Sequence, residues 1–84
     1  MDVSIKEKNS VVTFLIKGLS SYEEAQKIAD AIVETGRERD LEIFIQGIDD
    51  QNNIYGECHS NLKTRVRKLK NVLKEVMKNE NGIL

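Results

Sequence analysis

Proline and tryptophan are absent from this 84-residue chain, cysteine and histidine occur once each, and the aromatic complement is two phenylalanines and two tyrosines. A lone cysteine, Cys58, excludes an internal disulfide framework and agrees with a reducing compartment, so a cytoplasmic protein is expected. Zinc needs several Cys or His ligands, which one chain here does not supply, and no metal or other cofactor is expected. The five glycines are scattered at the ends of elements and form no phosphate-cradling loop. No window approaches the length needed to cross a bilayer, and the first ten residues, MDVSIKEKNS, hold no uninterrupted apolar segment, so neither membrane insertion nor secretion is expected.

What is present suffices for folding. Apolar residues make up 39% and charged residues 32%, a balance that argues against intrinsic disorder. The length sets residues 1–84 as a single domain with a modest core, too short for a deep catalytic cleft between domains. The net charge is −1, but its distribution is uneven: residues 1–57 hold 12 acidic and 6 basic side chains, and residues 58–84 hold 7 basic and 2 acidic. Such asymmetry points to a polyanionic partner for the basic part, or to pairing of the two parts within or between chains.

Val3 and Ile5 alternate with polar neighbours, Lys8, Asn9 and Ser10 spell a turn, and Val11 to Lys17 follows as a richer strand, so the chain opens with a β-hairpin. Gly18 breaks the strand. Ser20 followed by Glu23, and Ser21 followed by Glu24, are two overlapping capping boxes that start a helix; Tyr22, Ala25, Ile28, Ala29, Ile32 and Val33 make its apolar face, and Gly36 is its expected stop. Leu41 to Ile48 reads as a third strand. Asp49 to Asn53 is a polar turn, and Ile54 to Cys58 returns as a fourth strand weakened by Gly56.

From Ser60 to Asn79 the period changes to that of an amphipathic helix: Leu62, Val66, Leu69, Leu73 and Val76 form the apolar stripe, widened by Val72 and Met77. Ser60 suits the N-terminal cap and Gly82 the end. Lys63, Arg67, Lys70, Lys74 and Lys78 fall in one narrow arc, a basic ridge beside that stripe, while Arg65 borders the apolar face with its head free to reach water or a carboxylate. A solvated flank accounts for such a ridge; so does a site for an anion or a partner.

The order ββαββα, with two amphipathic helices, predicts an α+β two-layer sandwich: a four-stranded antiparallel sheet with both helices on one face. The other face is then left open. With Ile43 and Ile45 turned to the helices, Phe44, Ile48 and Tyr55 turn away, joined by either Leu15 with Val11 or Phe14 with Val12; Val11, Leu15, Phe44, Ile48 and Tyr55 make the candidate interface for a second copy or another protein.

Catalysis finds little footing. Cys58 and His59 are neighbours and point to opposite faces of a strand, so they do not form a nucleophile and base. Tyr55, Glu57 and His59 share one face, but no second positioned group or oxyanion donor accompanies them, and the chain is read as no enzyme. A calcium loop from Asp49 would place Ile54 where glycine is required and Ser60 where glutamate is required, and starting from Asp50 fails likewise. The expected function is therefore that of a small non-catalytic protein-interaction module, an adaptor, inhibitor or regulatory subunit acting as a homodimer. The lysine- and asparagine-rich, proline-free composition suits a bacterial or phage accessory gene. Two alternatives compete with it: nucleic-acid binding through the basic ridge, and sequestration of a small anionic ligand where two ridges converge.

Overall fold

The computed structural model describes residues 2–59 and 64–81, the last three by backbone alone. Within them the chain runs β1 (Asp2–Lys8), β2 (Val11–Lys17), α1 (Tyr22–Glu38), β3 (Ile43–Ile48), β4 (Ile54–Cys58) and α2 (Arg65–Asn81). Ser60, Leu62, Lys63 and Gly82, assigned from the sequence to the ends, stripe and ridge of the last helix, lie outside the described residues.

Asn9 and Ser10 take the left-handed backbone region, at φ 52° and 69°, and this pair of positive angles makes the tight turn whose twist suits a two-residue hairpin. It pins the register of β1 on β2 from Asp2 opposite Lys17 to Lys8 opposite Val11. The four strands are antiparallel neighbours in the order β1-β2-β4-β3, which leaves β1 and β3 as the edges. In β2 the alternation of Val12, Phe14 and Ile16 with Val11, Thr13 and Leu15 sorts into two faces, since the first three side chains are buried and the others are not.

Of the two overlapping capping boxes, the structure uses the second. Ser21 is the N-cap, its Oγ accepting from the Glu24 backbone N–H at 3.1 Å, while the Glu24 carboxylate reaches back to the Ser20 N–H and hydroxyl. At the other end the helix runs past Gly36 to Glu38. The left-handed residue there is Asp40, at φ 60°, and the Leu41 and Asp40 N–H groups bond to the carbonyls of Gly36 and Arg37 at 2.8 and 3.2 Å. Gly36 is small for another reason: a Cβ at that position would run into the Ile43 side chain of β3.

Ile28 and Ile32 of α1 and Leu69, Val72 and Val76 of α2 belong to one buried cluster with the strand residues, and among the described residues no polar or charged side chain is buried with them. Fully burying a side chain of this size contributes about 1.5–3 kcal/mol, so the helix-side core holds the two layers together. Two ion pairs fasten α2 laterally. Arg65, mostly shielded, pairs with Glu7 of β1, and Arg39 at the end of α1 pairs with Glu75. α1 packs against β3, and the Glu7 pair and a groove lined by both elements set α2 beside β1.

Gly56 does not merely weaken β4. It faces Phe14 across the β2–β4 pair, and the phenyl ring occupies the space a Cβ would need, so the missing side chain is what lets Phe14 lie flat in the core.

Candidate interaction surfaces

Cross-strand register sets which side chains share the open face. One row runs Lys6, Thr13, Glu57, Phe44, and the next runs Ser4, Leu15, Tyr55, Gly47. Phe44 is 48% and Tyr55 40% exposed, more than a folded chain leaves on aromatic rings it needs for its own core, while Leu15 and Val11 are half-buried beside them. Four of the five residues expected to form an open apolar face therefore stand on it.

Ile48 does not. Between Ile45 and Gly47 the pairing slips, so that Gln46 and Gly47 together oppose Tyr55, and Ile48 arrives opposite buried Ile54 and packs against the core. The extra residue reverses the alternation beyond it, which strict period two cannot anticipate. The signal was Gly47, whose absent side chain leaves open space on that face.

The open face is not purely apolar. The Glu57 carboxylate accepts from the Gln46 side-chain amide and is hydrogen-bonded to His59 Nε2 at 2.6 Å, and the His59 ring stands edge-on to Phe44 with centroids 5.3 Å apart. Nearby, Asp49 accepts from the Gln51 and Asn53 backbone N–H groups at 2.9 Å each, from the Asn53 side-chain amide at 3.0 Å, and from the Tyr55 hydroxyl at 2.8 Å. The Asn53 backbone bond is the main reason the Asp49 carboxyl is held below its ordinary value, and the accepted hydrogen bond from Tyr55 in turn raises the Tyr55 phenol. This loop is a brace that fixes the tilt of Tyr55. The two Asp49 oxygens together accept four hydrogen bonds, three from the turn and one from Tyr55 of β4.

On this face Lys6 and Lys8 stand on β1 together with Asp2, which lies opposite Lys17 of β2, and Glu57 stands on β4.

The basic ridge has a definite address. Arg67, Lys70 and Lys74 of α2 overhang β1 and, with Asn71, form the wall of a groove of about 590 Å³ whose floor is Val3, Ile5, Leu73 and Met77. Lys78 is exposed further along the helix, and Lys63 lies outside the described residues. Among the described residues, Arg67, Lys70, Lys74 and Lys78 make no ion pair. The apolar floor was not read from the sequence. Val3 and Ile5 were legible as alternating strand positions, but which flank of α2 would lie over them depends on how the helix docks.

Cys58 is buried against the helices and His59 is exposed on the opposite side, so the two are separated by the strand. Among the described residues, no three His, Cys, Asp or Glu side chains converge as a metal site would require, and no helix is long and apolar enough to cross a membrane. No protein-family model, curated protein or solved structure matches the chain.

Proposed function

We propose that this chain is a non-catalytic protein-interaction module that pairs with a second copy of itself across the open sheet face. The observation that carries the reading is the exposure of Phe44 and Tyr55 beside Leu15 and Val11 on a face that no described element covers. The molecule measures 33 × 25 × 17 Å, so a stable pair, to which each partner contributes about 800 Å², would bury most of its broad face.

One two-fold arrangement suits the apolar residues. A two-fold axis parallel to the strands lays the β1 side of one copy over the β3 side of the other, which stacks Leu15 on Tyr55 and brings Lys6 to Phe44 and Glu57 of the second copy. This arrangement joins Lys6 and Glu57 of opposite copies around an apolar centre.

The test is mass in solution with Leu15→Asp and a Lys6→Glu, Glu57→Lys pair. The chain should sediment as a dimer, Leu15→Asp as a folded monomer, and either charge reversal alone should weaken the dimer more than both together. A wild-type monomer at high concentration would overturn the reading.

A further inference from the structure

We propose that the β1 edge captures an extended acidic segment of another protein as a fifth strand, at the outward backbone edge of the sheet and sharing Lys6 with the sheet face invoked above. An edge strand presents outward-facing N–H and C=O groups along its length, and such an edge is a template for strand addition unless something blunts it. β3, the other edge, is blunted by the Gln46–Gly47 bulge, which breaks the regular spacing of its backbone groups. β1 pairs with β2 in unbroken register over all of its length and is exposed along nearly all of it.

The surroundings of β1 specify what would add there. On the helix side the groove offers an apolar floor, with Val3 42% exposed, beneath Arg67, Lys70 and Lys74; on the open side stand Lys6 and Lys8. The two carboxylates of β1 do not offset these charges, because Glu7 is paired with Arg65 and Asp2 lies opposite Lys17. An incoming strand thus meets cations on both of its faces. It suits a segment with acidic side chains on each face and an apolar one over Val3 and Ile5, whose carboxylates would find the unpaired cations at short range.

A second copy is a poor occupant of this edge. Antiparallel β1–β1 pairing across a two-fold would bring two sets of Arg67, Lys70 and Lys74 together, a like-charge juxtaposition that costs stability. Nucleic acid meets the cations but not the floor, since Val3, Ile5, Leu73 and Met77 give apolar contact without an aromatic ring for a base to stack on.

The test uses a fluorescein-labelled Glu/Val peptide with glutamates on both faces of the strand and valine only at the positions over Val3 and Ile5, the same peptide with proline in place of valine, and single-stranded DNA of equal charge. The Glu/Val peptide should bind more weakly as salt rises, slow hydrogen exchange at the outward amides of β1, and lose about tenfold or more in affinity with Lys70→Glu, Lys74→Glu. These positions are exposed, so the variant should keep its melting temperature. Leu15→Asp, which addresses the dimer, should still bind the peptide. Absence of binding at low salt, equal binding of the proline peptide, or tighter binding of the DNA through the same lysines would each overturn the assignment.

Discussion

The two faces of the one sheet follow different rules. Toward the helices, Val12, Phe14, Ile16, Ile54 and Cys58 are buried without a polar side chain among them, and a glycine at 56 is held small by the ring of Phe14. On the other side the same strands present Leu15 and Tyr55 between Thr13 and Glu57, and a glycine at 47 faces empty space. A face that served only to fold the chain would be either dry or wet. Alternating apolar side chains with a braced network of Glu57, Gln46, His59 and Asp49 gives a surface that stays hydrated alone and still has apolar contact to offer a partner.

The sharpest way to break that contrast is truncation on each side. Leu69→Ala removes a fully buried side chain and should cost about 2–5 kcal/mol of folding stability, whereas Leu15→Ala should cost far less in the monomer and show its effect in association; denaturant titration at low protein concentration separates the two. Equal losses would mean that the open face is part of the folding core.

Glycine substitution gives a smaller but cleaner difference. Gly56→Ala forces the Phe14 ring aside and should destabilise by about 1–3 kcal/mol, while Gly47→Ala enters open space and should stay within about 0.5 kcal/mol of wild type in thermal unfolding.

The smallest expected effect concerns the brace of Tyr55. Its phenol is raised above 10.0 first by the hydrogen bond to Asp49 and then by that carboxylate's charge, so the stability it adds is complete below pH 10 and fades as pH climbs through the raised value. Asp49 has the opposite sign. With its folded value below 3.8, it stabilises above that pH and the contribution is lost as acid protonates it. In a Tyr22→Phe background, which leaves one tyrosine, Asp49→Asn should move the phenolate absorbance transition down toward the ordinary value; an unchanged transition would show that Asp49 does not hold the ring.

Much of this layout was legible beforehand because it rests on local chemistry. The alternation of Val12, Phe14 and Ile16, the serine–glutamate spacing before α1, and the stripe of Leu69, Leu73 and Val76 all follow from period and capping alone. What escaped needed a neighbour. Ile48 changed faces because of an unseen bulge, Gly36 was small for Ile43 rather than for a helix end, and the basic ridge acquired an apolar floor only when α2 docked beside β1. A helical wheel gives the angle between ridge and stripe; it does not say which strand lies below.

Sedimentation equilibrium of the unmodified chain across a wide concentration range tests self-pairing through the open face most directly. The account predicts twice the 9.6 kDa chain mass, with Leu15→Asp returning a folded species at the single-chain mass. A single-chain mass at every concentration, or a dimer that Leu15→Asp leaves intact, would contradict it.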